Sequence, residues 1–245
     1  MNPLINEAID TARAFFRENA NPNNVEKYKY YFKEGYDAFG LDMSTWNIIK
    51  KRIIDEYIKK IGIDGVFEMS KQLMTSDKYE EISLCIVSVE HYKKIYKPEH
   101  LTKIEEWFKG GIKNWAHCDY LSGDVISYFL VKGIVPLERL SSWLDSSIKW
   151  QRRSVPVSML KLLKSDTDVK IFLDFLRPLM LDTERVVHQG VGWFLREAWK
   201  KYPEEVEQFL LEWKDVSPRL IFQYATEKMT KENKERFRKT KPLKK

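Results

Sequence analysis

With 245 residues, 43% of them hydrophobic and 32% charged, the chain is long enough to bury a core, and no apolar run approaches the roughly 20 residues of a membrane span. Ten glycines and nine prolines are too few for a β-rich fold with many tight turns, and two cysteines, Cys85 and Cys118, exclude a disulfide framework and point to a reducing, cytoplasmic compartment. The net charge is +6, but residues 231–245 carry eight basic against two acidic side chains and account for all of it, so the body is formally neutral. A nucleic-acid-binding body would therefore have to segregate its charges onto one face.

The first 20 residues carry Glu7, Asp10 and Glu18 and no unbroken apolar core, so no signal peptide is expected. Residues 3–18 place Leu4, Ile5, Ala8, Ile9, Ala12, Phe15 and Phe16 on one side of a helix that Asn21-Pro22-Asn23 ends. A tyrosine-rich helix is expected over 25–35, then a short aromatic connector with Tyr36 and Phe39. Ser44-Thr45 offers an N-cap for a helix through Ile61, with Gly62 as its stop. Helical patterns follow at 64–74, 78–94 and 98–109. Past Gly110-Gly111 they continue at 115–132, 136–147, 148–164, 168–177, 182–201, 203–213, 217–227 and 230–238.

Paired helices with short connections along a whole chain describe an all-α solenoid of antiparallel pairs, with a compact bundle as the competing architecture. One domain is expected over 1–230, with 231–245 as a frayed basic tail.

The most informative stretch runs from Val186 to Trp199. Trp193 and Arg196 stand three apart and share a helical face. Gly190 and Gly192 lie inside the same helix, where each costs about 1 kcal/mol against alanine, so close approach of another helix or of a ligand backbone must offset them. The same design recurs twice: Trp115 and Asp119 are four apart, Trp150 and Arg153 three apart. A core tryptophan beside a solvated charge is the plain alternative for each pair, and Asp119 could simply favour a helix N-terminal turn. His117 and Cys118 are adjacent and so diverge on a helix, which argues against zinc. His91, His100 and His188 show no nucleophile–base pattern.

The stretches Asn-Trp-Ala-His-Cys-Asp at 114–119, Lys-Trp-Gln-Arg-Arg at 149–153 and Gly-Val-Gly-Trp-Phe-Leu-Arg-Glu at 190–197 resemble the signatures of the AlkD-type DNA alkylation repair glycosylases. The match runs in order through roughly residues 25–215. It includes Tyr28 and Phe39-Gly40-Leu41, whereas Asp42 stands where that family often has an uncharged polar residue.

The resemblance implies HEAT-like helical repeats with a concave DNA-binding face. It also implies removal of 7-methylguanine and 3-methyladenine from duplex DNA, without metal or other cofactor, by a monomer that needs no membrane. Asp119, Trp115 and Trp193 would be the catalytic residues. Arg153, Arg196, the neighbouring Arg152 and Tyr28 would meet DNA. A non-catalytic HEAT-like repeat protein, binding branched or damaged DNA or a protein partner on the same face, is the reading from another class.

Overall fold

The computed structural model describes residues 2–166 and 168–240. Among them every regular element is helical, and a single pair bridge, Asp37 with Lys78, is the only β contact. No helix is long and apolar enough to cross a membrane. The all-α reading of the sequence therefore holds. The chain divides into two compact units, Met1–Leu121 and Ser122–Lys245.

The first unit is built from α1 (Pro3–Glu18), α2 (Pro22–Lys29), α3 (Met43–Ile53), α4 (Lys59–Leu73), α5 (Tyr79–His91), α6 (Pro98–Glu105) and α7 (Trp115–Tyr120). Helix α1 buries Ile5, Ala8, Ile9, Ala12 and Phe16, the i, i+3, i+4 stripe that its sequence predicts, against α3 and α4. Gly62 adopts φ +69 and kinks α4 at the place where the sequence expects a stop. The N-cap of α3 is Asp42, not Ser44 or Thr45: its carboxylate accepts from the Thr45 N–H at 2.8 Å and from the Ser44 hydroxyl at 2.7 Å. Helix α2 ends at Lys29, several residues short of the expected 35, because the aromatic run after it turns back toward α7.

Helix α5 is buried along nearly its whole length, including two carboxylates, Glu80 and Glu81. Neither is left unpaired. Arg13 on α1 grips Glu81 with two parallel hydrogen bonds of 3.0 and 2.8 Å. Glu80 accepts from the backbone N–H groups of Phe39, Gly40 and Leu41 at 2.9, 2.8 and 3.2 Å, which pins the 36–41 connector across α5.

The second unit contains α8 (Ser127–Val131), α9 (Lys149–Met159), α10 (Val169–Leu176), α11 (Arg185–Trp199), α12 (Pro203–Trp213), α13 (Arg219–Ala225) and α14 (Lys231–Arg236). Helix α11 is its centre, packed between α9 and α13. The two glycines explain how closely. A Cβ on Gly192 would collide with Cβ of Tyr224 and the carbonyl of Ile221 on α13, and one on Gly190 would press on Arg153 and Pro156 of α9 at 3.3 Å. The close approach expected from the sequence is thus made by neighbouring helices on both sides.

The expectation of a frayed tail fails for residues 231–240. Phe237 is fully buried, its carbonyl accepts from Arg219 at 2.7 Å, and Thr240 N–H donates to Asp215 at 2.7 Å. One buried ring at the end of a helix outweighs the charge around it. Residues 241–245 lie outside the described residues.

Candidate active site and DNA-binding residues

Helix α7 is held at its first turn. Asn114 caps it by accepting from His117 N–H at 2.9 Å, while its amide nitrogen donates to His117 Nδ1 at 2.9 Å. That leaves Nε2 as the protonated nitrogen, which faces the Tyr79 carbonyl at 3.1 Å and the Ser83 hydroxyl at 3.0 Å. Burial, only partly offset by the Tyr79 carbonyl, pushes the imidazole down to about 3, so the ring is neutral at physiological pH. His117 stacks on Tyr79 with centroids 4.3 Å apart. It is a structural pin between α5 and α7 and has no free nitrogen for a metal.

With α7 so pinned, Trp115 stands at its N-terminus, 40% exposed. The exposure is not looseness. Its indole Nε1 donates to the Tyr31 carbonyl at 3.0 Å, and its ring stacks on Phe32 at 5.6 Å. Phe32 in turn stacks on Tyr36 at 4.5 Å, and Tyr36 meets Tyr79 at 5.3 Å. These rings, with Tyr28, Trp46 and Tyr120, line an open cleft of about 520 Å³ whose polar lining includes Asp42, Glu80 and Ser83. Burial and the nearby Glu80 carboxylate raise the phenols of Tyr36 and Tyr79, which stay protonated. The backbone N–H of Thr45, then the Ser44 hydroxyl, hold Asp42 below the ordinary aspartate range, so it stays charged at the rim.

Of the residues singled out in the sequence, Tyr28 and Trp115 both line this cleft. Asp119 lies one turn further along α7, half-buried and outside the cleft lining. Its neighbour Tyr120 is fixed by a 2.6 Å bond to Glu90.

The other candidates belong to the second unit, on two helices that touch. Arg153 on α9 is buried, with 6% of its surface exposed, and donates to the Val186 carbonyl at the start of α11 at 2.6 Å. Arg152 beside it clamps Asp182 at 2.5 and 3.2 Å and reaches the Ser146 carbonyl at 2.6 Å. On α11, Trp193 is half-buried, and Arg196 pairs with Glu227 at 2.5 Å and Glu197 at 3.0 Å. The third tryptophan of the recurring design, Trp150, is core at 5% exposure. The arginines are thus positioned by carboxylates and carbonyls and are not arrayed as bare cations.

Spacing along the sequence does not reveal the cleft itself. The aromatic density of residues 28–39 was the available signal. What spacing could not show is that Tyr79, at the head of α5, joins that run through its N–H to the Asp37 carbonyl at 2.8 Å and the ion pair of Lys78 with Asp37 at 2.5 Å.

Among the described residues, the first unit thus keeps a tryptophan half in solvent beside an aromatic cleft, one turn from a carboxylate. Residues 12–229 match the family model of DNA alkylation repair enzymes, and the chain belongs to that family. The role that follows is DNA repair by an enzyme. The fold is similar to the solved structure of a predicted DNA alkylation repair enzyme from Enterococcus faecalis, with a TM-score of 0.75 at 16% identity, over 87% of this chain and 98% of that one. No curated protein matches the sequence.

Proposed function

We propose that the protein is a monofunctional DNA glycosylase that hydrolyses the N-glycosidic bond of positively charged alkylpurines, 7-methylguanine and 3-methyladenine, in duplex DNA. The observation that carries this reading is the pair on α7: an indole locked in a half-exposed position by Tyr31 and Phe32, and Asp119 one turn away on the same helix.

The chemistry asks for little more. An N-alkylated purine already carries a positive charge, so the bond from its ring nitrogen to C1′ breaks with both electrons going to the base, which leaves neutral. The sugar becomes an oxocarbenium ion. Asp119 stabilises that cation electrostatically and orients a water, which adds to C1′ and gives up a proton to leave an abasic site. Trp115 offers an electron-rich face to the cationic nucleoside, and Trp193 has the same part in this reading. No metal or other cofactor enters the scheme.

Arg152 and Arg196 are assigned to phosphates, which compete for their guanidinium groups with Asp182 and Glu227. Arg153, tied into the α9–α11 contact, supports binding by holding α11 in place. Tyr28 meets DNA from the wall of the cleft. Incubation of the full chain with a methylated duplex, followed by alkaline cleavage at abasic sites, tests the proposal. Strand breaks at methylated purines support it, and intact strands at saturating protein reject it.

A further inference from the structure

Residues 27–33 read Lys-Tyr-Lys-Tyr-Tyr-Phe-Lys, three cations interleaved with four rings. They form the end of α2 and the turn after it, closed by the Tyr31 N–H to the Tyr28 carbonyl at 2.9 Å and the Phe32 N–H to the Lys29 carbonyl at 3.1 Å. Only Phe32 goes into the core. Tyr30 is 85% exposed and Tyr31 60%, with their rings edge to face at 5.5 Å. Lys27, Lys29 and Lys33 are exposed around them, against Glu26 and Glu34 in the same stretch. The Trp115 indole, bonded to the Tyr31 carbonyl, extends the aromatic surface to the mouth of the cleft.

Two adjacent tyrosines stand this far out of the core while the backbone beneath them is fixed by the turn and by Trp115. We propose that this surface binds single-stranded DNA, with unpaired bases stacking on Tyr30 and Tyr31 and phosphates meeting Lys27, Lys29 and Lys33. The occupant follows from the chemistry. Flat rings with phenolic edges suit base faces, and cations spaced among them suit a phosphate backbone. Stacking needs a base whose face is open, which a paired base inside a duplex does not offer. An apolar protein partner would be met by aliphatic residues and not by lysines. This inference is independent of the excision reading, which concerns duplex DNA.

The test is fluorescence anisotropy of an end-labelled oligothymidylate of about 12 nucleotides, within the usual span of such sites, titrated with the full chain beside an unmodified duplex of the same length. Tyr30→Ser and Tyr31→Ser should each weaken binding to the single strand roughly 5- to 100-fold with unchanged circular dichroism, and Tyr30→Ser, outside the cleft lining, should have little effect on the duplex. Replacing all three lysines by glutamine should lower the salt slope on the single strand by about 2. Tyr30→Ser should keep wild-type base release, because Tyr30 does not line the cleft. Unchanged oligothymidylate affinity in the double tyrosine variant, or an equal loss on the duplex for Tyr30→Ser, would overturn the proposal. Single-strand binding without any base release would reject the excision reading alone and leave this one standing.

Discussion

The Trp115 indole donates to the backbone carbonyl of Tyr31 at 3.0 Å, across 84 positions of sequence, and so joins α7 to the turn that follows α2. The bond leaves the indole half in solvent while fixing its orientation, and Phe32 holds the ring from one side. Replacing Trp115 by Phe keeps the stacking and removes the donor. We expect a loss of about 1 kcal/mol in urea unfolding, the usual net worth of one hydrogen bond, and faster amide exchange in residues 29–33. Unaltered exchange there would show that the turn does not depend on the indole.

His117 makes stability depend on pH. Its folded pKa, pushed down to about 3 by burial, lies below the roughly 6.5 of an unfolded histidine. The unfolded state therefore binds the proton first, and the stability contributed by the neutral ring is complete above about pH 6.5 and is lost as pH falls toward 3. The unfolding free energy from urea titrations should drop by about 1.4 kcal/mol per pH unit through that window. His117→Asn should be less stable at pH 7 and should lack this component of the slope. An unchanged slope in the variant would contradict the assignment.

Gly190 and Gly192 should respond differently to alanine. A methyl at 192 meets the Ile221 carbonyl and the root of Tyr224, neither of which can yield, so Gly192→Ala should cost about 1–3 kcal/mol despite the better helix former. At 190 the nearest atoms, on the Arg153 stem and the Pro156 ring, stand at 3.3 Å and need yield only a few tenths of an ångström, so the loss should be smaller. Thermal melts of the two variants check the order.

Arg153 and Arg196 separate support from contact. Arg153→Met removes a buried donor and leaves the Val186 carbonyl without it, so unfolding free energy should fall by about 1–3 kcal/mol. Arg196→Gln alters a partly exposed side chain. It should leave stability within about 1 kcal/mol and weaken duplex binding, with a salt slope lower by about 1. Unchanged duplex affinity for Arg196→Gln in low salt would remove it from the interface.

Much of this arrangement is legible in the sequence alone. The amphipathic period of α1, the break in helical backbone at Gly62, the helix over 203–213 and the close approach implied by Gly190 and Gly192 all follow from local rules, and the structure has each of them. The α3 cap was misplaced because Asp42, Ser44 and Thr45 are all good caps in sequence, and only geometry selects Asp42. The fate of each arginine was hidden for a deeper reason. Arg152 and Arg153 are neighbours with the same chemistry, and their partners, Asp182 and the Val186 carbonyl, lie some thirty residues away. The aromatic cleft was hidden in the same way, since Trp115, Phe32 and Tyr79 meet only after three segments have packed.

The most direct test of the account is single-turnover release of 7-methylguanine by Asp119→Asn, which keeps the shape of the side chain and removes its charge. If Asp119 stabilises the sugar cation, the rate should fall on the order of 100- to 1,000-fold. Duplex affinity should be unchanged or slightly higher, since a carboxylate repels phosphate, and the melting temperature should stay near that of the wild type. A destabilised Asp119→Asn protein that still releases the base at the wild-type rate per folded molecule would contradict the account.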